Sequence, residues 1–284
     1  MRRRLDLELV RRGLARTQGQ AADAILAGRI LVEGRPALKP AGLVAPADQV
    51  TMVDESPRFV SRGGKKLEAA LTRFGVHVAG LRCLDAGAGT GGFTDALLAH
   101  GAEHVVAVDV GYGQFAWSLR KDPRVTIIER RNVRNLRRAD IPYSPGLVAA
   151  DLSFISLVRV ITALSEVAAE GAEFLLLVKP QFEARRHFVE PGGVVRDPEG
   201  WRTSIATVEE ACRTKGLGPA GVVASPLLGP AGNVEFFVHA RKGDPGGTLD
   251  IDAAVREGSR LGGPAPVAEV PDGRAPFRRR ATRS

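Results

Sequence analysis

Five short apolar runs, separated by helical patterns, constrain the fold of most of this chain. They are LRCLDAG at 81–87, HVVAVDV at 104–110, RVTIIER at 124–130, GLVAADL at 146–152 and EFLLLVKP at 173–180. A strand with one wet face alternates apolar and polar residues. These runs are nearly continuous, so they read as strands buried on both faces. FTDALLAHG at 93–101 and VRVITALSEVAAEG at 158–171 carry helical spacing between them. Strand–helix alternation predicts a Rossmann-like α/β domain, a mainly parallel sheet covered by helices on both sides. VEFFVHAR at 234–241 reads as a closing strand, with an antiparallel direction open.

The fifth run raises a chemical question. Its apolar residues 174–178 lead straight into Lys179, and Pro180 ends the run. An ammonium group at the end of a buried strand must reach water, pair with a carboxylate, or do chemistry.

The first residues form a unit of their own, set at 1–53. Leu5, Leu9 and Val10 share one helical face, with Gly13 as a stop. Thr17 and Gln20 have the spacing of a capping box for a second helix that Gly28 closes. RILVEGRPALKP then reads as two short strands about a turn at Gly34. Residues 54–60, with the polar DESPR stretch, are the expected linker. The α/β domain takes 61–242. Residues 243–284 are rich in Gly, Pro and Arg without periodicity and end in FRRRATR, so a disordered basic tail is expected there.

Charge points to the partner. The formal net charge is +8 and the pI is about 10.1. Most of the positive charge is arginine, which suits bidentate phosphate contacts. Arg2, Arg3, Arg4, Arg11, Arg12 and Arg16 face only Asp6 and Glu8, and Arg29, Arg35 and Lys39 continue the sign through the hairpin. That pattern predicts RNA contact by the first unit, with Arg3, Arg4, Arg11, Arg12, Arg16 and Arg29 as candidates and Arg62 and Lys65 joining them from the second. Cys83 and Cys212 form neither a disulfide framework nor a zinc motif, and no signal-peptide segment follows MRRRLDLELV, so the cytoplasm is the expected compartment. No run approaches the roughly 18–20 apolar residues of a membrane span.

LDAGAGTGGFT at 84–94 lies between the first strand and a helix, at the sheet edge where open α/β folds bind ligands. Gly87, Gly89 and Gly92 satisfy G-x-G-x-x-G, which admits a dinucleotide. Asp109, at the end of the second strand, can bind a ribose hydroxyl pair for either a dinucleotide or S-adenosylmethionine. Asp85, two residues before the first glycine, and polar groups at the fourth and fifth strand ends favour S-adenosylmethionine. The expected cofactor wall is Asp85, Gly87, Gly89, Thr90, Gly91, Gly92, Phe93, Asp109, Val110, Asn132 and Asp151.

Lys66, Asp151, Lys179 and Glu235 can face one cleft if the strand order is the usual one. Methyl transfer to a ribose hydroxyl needs an oxygen held in line and a base for a weakly acidic proton. A lysine serves only in its neutral form, which burial and a nearby cation favour. The two lysines are equivalent at this level. The fourth strand ends in Asp151-Leu152-Ser153-Phe154 and lacks the proline-bent motif usual in enzymes that methylate base amines. No metal site is indicated: His100 and His104 flank the helix stop at Gly101. Phe93, Phe115 and Trp117 are candidates to stack on a base or to fill the core.

SRGGKKL, DAGAGTGGFT, DVGYGQ, ADLSFISL, LVKPQFE, PGGVVRD and GNVEFF together resemble the TlyA family, the hemolysin A-type ribosomal RNA 2′-O-methyltransferases. The resemblance spans roughly residues 3–242. It implies an FtsJ-like catalytic domain behind a small α+β S4-like RNA-binding domain. It implies a Lys-Asp-Lys-Glu catalytic set at Lys66, Asp151, Lys179 and Glu235, S-adenosylmethionine around 87–93 and Asp109, and a cytidine ribose of ribosomal RNA or a ribosomal subunit as target. Two departures stand out. Relatives often carry a tryptophan in the linker where this chain has Phe59, and EARRHFVE at 183–190 is unusually basic. A non-catalytic RNA-binding protein, a membrane-active hemolysin and an NAD-dependent enzyme are the competing readings. The sequence leaves the oligomeric state open, with a monomer as the default.

Overall fold

The structure is a computed structural model that describes residues 2–26, 28–37, 39–53 and 58–262. The N-terminal unit contains, in chain order, β1 (Arg3–Arg4), α1 (Leu5–Arg11), α2 (Gln18–Leu26), β2 (Ile30–Val32), β3 (Arg35–Pro36), β4 (Leu43–Val44) and β5 (Val50–Met52). Leu5 and Leu9 of α1 pack with Ala21, Ala24 and Ile25 of α2 over Ile30, Val44 and Val50. The expected hairpin is present. Glu33 and Gly34 have φ of 50° and 71°, the two positive values of the tight turn that matches strand twist. The Gln20 N–H bonds Thr17 Oγ1 at 3.2 Å, as a helix cap requires, while the Gln20 side chain accepts from the Arg16 N–H.

The second unit contains α3 (Arg62–Phe74), β6 (Arg82–Ala86), α4 (Gly92–Ala99), β7 (His104–Val108), α5 (Trp117–Arg120), β8 (Val125–Ile128), β9 (Leu147–Ala150), α6 (Ile161–Val167), β10 (Glu173–Val178), α7 (Pro180–Glu183), α8 (Pro198–Thr214), β11 (Leu217–Ala224), β12 (Phe236–Lys242) and α9 (Ile251–Gly262). One seven-stranded sheet runs β11-β12-β10-β9-β6-β7-β8. Five strands are parallel, and β12 lies antiparallel between β10 and β11. From β6 the chain moves outward to β8, then crosses back to place β9 on the other side of β6. That reversal opens a crevice at the carboxyl ends of β6 and β9.

Period-two alternation divides the core. Leu84, Val106, Val148, Leu176 and Val238 face one side, under α6, α8 and α9. Cys83, Val105, Ala149, Leu177 and Phe237 face the other, under α3 and α4. Each fully buried Val, Leu or Phe side chain among them contributes about 1.5–3 kcal/mol. The same parity directs the polar edge. Asp85, Asp151, Lys179 and Glu235 continue the series that faces α3.

One sequence expectation needs correction, and two elements were not foreseen. LGPAGVVA forms the edge strand β11, although its glycines and proline suggest a loop. Helix α8 was not anticipated. The tail assignment fails for 243–262, because Asp250 caps α9 and Leu249, Ala254 and Val255 are buried against the core. Residues 263–284 of that assignment, and 54–57 of the linker, lie outside the described residues. Phe59 is buried in the second unit and packs directly on Gly64.

Candidate active site

The β10–β12 ladder pairs Val178 with Phe236. The next residue on β10 and the preceding one on β12 are Lys179 and Glu235, which therefore reach the sheet edge together. Ser61 caps α3 through the Gly63 N–H, and the first turns of α3 deliver Lys66 to the same edge. Lys66 Nζ donates to Glu235 Oε2 at 2.5 Å, with both side chains buried. Lys179 Nζ lies 2.5 Å from Asp151 Oδ1 and donates to Ser153 Oγ at 3.1 Å. All four charged groups named from the sequence thus meet, as two lysine–carboxylate pairs. Gly229 approaches Glu235 so closely that a Cβ there would sit 2.6 Å from Oε1.

Lys66, Asp151 and Lys179 line a cleft of about 690 Å³ with Gly87, Gly89, Thr90, Gly92, Phe93, Asp109, Val110 and Asn132, and the buried Glu235 backs Lys66. The loop's close approaches explain two glycines. A Cβ on Gly87 would lie 2.4 Å from the Asp151 carbonyl oxygen, and one on Gly92 would lie 2.1 Å from Ser61 Oγ. Asp109 shapes the opposite wall. Its Oδ2 accepts from the Gly89 N–H at 2.8 Å and its Oδ1 from the Gly111 N–H at 2.6 Å. Each oxygen keeps a lone pair for a further donor.

Two expected cofactor contacts lie behind the wall instead. Gly91, with φ of 96°, is pressed against Phe115 and Leu119. Asp85 is fully buried beneath the loop, where Oδ2 accepts from the Thr94 N–H at 2.8 Å and from Thr94 Oγ1 at 2.7 Å. Burial pushes its carboxyl up to about 7, with the Thr94 bonds pulling down and Asp151 and Asp109 pushing up. Asp85 ties β6 to α4 and reaches the cleft only through the loop. Sequence reasoning missed Gln114, Val133 and Ser153, which also line the cleft. Gln114 and Ser153 sit in loops and Val133 opens a single helical turn over Val133–Asn135, where no periodicity marks them. Phe93 and Phe115 are core residues, whereas Trp117 is exposed beneath Lys121. His104 bonds Tyr143, and His100 lies beside Glu68.

The N-terminal arginines divide into two groups. Arg12 is committed to Glu8 and to the carbonyls of Ala45, Pro46 and Asp48. Arg4 is bound to Asp6, and Arg11 to Glu8. The Arg4 bond holds Asp6 down at about 2; Arg11, then Arg12, do the same for Glu8. Arg3 and Arg16 are exposed, as is Lys65, while Arg29 and Arg62 are partly buried. Arg62 borders the cleft.

Comparison with known proteins agrees with this architecture. The FtsJ-like methyltransferase family model matches residues 59–242, and the S4 domain model matches residues 3–50. The chain is 54% identical over 241 residues to the 16S/23S rRNA (cytidine-2′-O)-methyltransferase TlyA of Mycobacterium tuberculosis, covering 84% of this chain and 90% of that protein. It is 35% identical to hemolysin A of Brachyspira hyodysenteriae, over 83% of this chain and 98% of that one. A solved hemolysin-type structure from Streptococcus thermophilus superposes with a TM-score of 0.73 at 35% identity, over 92% of this chain and 96% of that one. The chain belongs to the FtsJ-like methyltransferase family, within the TlyA group that joins this domain to an N-terminal S4 domain.

Proposed function

We propose that this protein methylates the 2′-hydroxyl of a cytidine ribose in ribosomal RNA, using S-adenosylmethionine. The observation that carries the reading is the pair of lysine–carboxylate contacts at one sheet edge, beside a glycine loop with a ribose-binding carboxylate. The name of the Mycobacterium tuberculosis relative supports the nucleoside and the RNA class.

The residues present fit the cofactor. Gly89 leaves open space for a close backbone approach, Asp109 keeps free acceptors for ribose hydroxyls, and Asn132 and Gln114 border the same wall. S-adenosylmethionine, when bound, supplies a methyl group already activated on a positively charged sulfur. The chain's residues then have two tasks, to place the acceptor oxygen and to remove its proton.

Lys179 suits the proton transfer. Its Nζ contacts Asp151 and the exposed Ser153, so it opens onto the cleft. Lys66 also borders the cleft, but its Nζ is bonded to the buried Glu235. In this reading neutral Lys179 takes the proton from the 2′-hydroxyl, Asp151 and Ser153 aim Nζ, and Lys66 with Glu235 orients the acceptor. General-base help of this kind is worth about 10²–10⁴-fold, and positioning adds to it. Lys179→Met tests the assignment: turnover should fall by about that factor while S-adenosylmethionine affinity stays within about threefold. Full turnover in the variant would sink it.

The S4 domain and its exposed Arg3, Arg11 and Arg16 are assigned to RNA contact. Among the described residues no helix is long and apolar enough to cross a membrane, so nothing in them favours the membrane-active reading.

A further inference from the structure

The loop that carries Asp151 is unusually dependent on side chains. Asp151 is still held by the sheet, its N–H bonding the Ala86 carbonyl at 3.0 Å. Among the described residues, no backbone hydrogen bond then holds Leu152, Ser153, Phe154 or Ile155. Phe154 is 91% exposed and has φ of 63°, a left-handed conformation that costs a non-glycine residue free energy. A loop in that state needs fastening if Asp151 is to keep its place beside Lys179.

The fastening comes from the segment that follows Lys179. Lys179 caps α7, and Pro180 fixes the first turn, with the Phe182 N–H bonding the Lys179 carbonyl and the Ala184 N–H bonding the Pro180 carbonyl. Three side chains of this segment then meet the loop in order. Lys179 Nζ donates to Ser153 Oγ, and the Phe182 ring lies 5.5 Å from the Phe154 ring. Glu183 accepts from Ser156 Oγ at 2.6 Å through Oε2 and from the Leu157 N–H at 2.7 Å through Oε1. The last contact grips the far end of the strained stretch with both carboxylate oxygens, at the start of a single helical turn over Leu157–Arg159. A carboxylate there complements the free N–H groups of that turn.

We infer that Glu183 is a positioning residue for the reaction, a latch that fixes the Asp151 loop onto the Lys179 segment and so sets the geometry between base and carboxylate. The inference rests on the proposed role of Lys179. Glu183 touches neither cleft nor substrate and acts only through the loop. Its effect should therefore fall on turnover rather than on binding. Charge is not required for the latch. A glutamine can accept from the Leu157 N–H through its oxygen and donate to Ser156 Oγ through its amide.

The test compares Glu183→Ala, Glu183→Gln and Ser156→Ala with the unaltered protein. Methyl transfer to ribosomal subunits, S-adenosylmethionine affinity by calorimetry, and amide hydrogen exchange are measured on each. Glu183→Ala should lower kcat at least tenfold, with KM for the subunit and cofactor affinity within about threefold. Amide exchange should rise selectively at 152–157. Glu183→Gln should recover at least half of kcat, and Ser156→Ala should lower kcat measurably but less than Glu183→Ala does. Unchanged kcat in Glu183→Ala would overturn the inference, as would a glutamine variant as impaired as the alanine one. If Glu183→Ala does not fold, the Gln and Ser156 variants decide alone: equal, full turnover in Ser156→Ala or failure of Gln rescue would count against the latch. The unaltered protein separates the two claims. If it transfers no methyl to RNA, the functional reading fails, while the exchange pattern still reports whether Glu183 fastens the loop.

Discussion

Lys66 and Glu235 stand 169 residues apart in the chain and 2.5 Å apart in space. Both are buried, at 5% and 1% exposure. Two buried charges repay their lost hydration only through each other, so removing one partner leaves the other stranded. Breaking such a pair typically costs about 3–5 kcal/mol, whereas replacing both by apolar residues is often close to neutral. Lys66→Met and Glu235→Leu should each lower stability in urea by that order, and the double variant should be more stable than either. Additive losses would contradict the pairing.

The glycine loop makes a steric prediction. Alanine at position 87 would drive a Cβ into the Asp151 carbonyl at a residue whose φ is 88°, so β6 and β9 must part at their carboxyl ends. Strain of this kind costs about 1–3 kcal/mol. Gly87→Ala should weaken S-adenosylmethionine binding at least tenfold by calorimetric titration. Gly113, with open space around its Cβ position, provides the control, because Gly113→Ala carries backbone strain without the clash.

Asp85 predicts a pH dependence of definite sign. Unfolded, an aspartate releases its proton near pH 4; folded, Asp85 keeps it to about 7. Between those values the native state holds the extra proton, so its contribution to stability falls as pH rises from about 4 to about 7. Asp6 and Glu8 act oppositely. Their folded values are depressed to about 2, so their stabilisation is present above about pH 4 and is lost as pH falls toward 2. Melting temperature followed against pH should decline less steeply between 4 and 7 in Asp85→Asn than in the unaltered protein. An identical slope would remove Asp85 from the account.

The arginines of the S4 domain separate by commitment. Arg3 and Arg16 are exposed, so their alanine variants should weaken RNA binding and reduce the salt slope by about 1 each, with little change in melting temperature. Arg12 braces the N-terminal unit through Glu8 and three carbonyls, so Arg12→Ala should lower the melting temperature instead. Equal behaviour of the three variants would contradict the division.

The central strands were legible in the sequence because burial on both faces writes an uninterrupted apolar run. The edge strand β11 was not, because Gly218, Pro219 and Gly221 obscure the pattern and an edge position tolerates them. Helix α9 was hidden by the Gly- and Pro-rich stretches around IDAAVREGSRLG, although its buried Ala254, Val255 and Gly258 follow helical spacing. Asp151, Lys179 and Glu235 could be listed from strand ends and Lys66 from the segment leading into α3, but their pairing could not. Pairing depends on the β10–β12 register and on the angle at which α3 crosses the edge. Asp85 shows the same limit. Its position in the glycine motif is plain, while the side of the loop it faces is set by Thr94, nine residues on.

The measurement closest to the central claim is the location of a transferred methyl group. Purified protein, labelled S-adenosylmethionine and isolated small or large ribosomal subunits would be incubated, and the RNA digested to nucleosides. The account predicts label in 2′-O-methylcytidine, and its loss with Lys179→Met. Label on a base, or RNA left unlabelled by a protein that binds the cofactor, would contradict it.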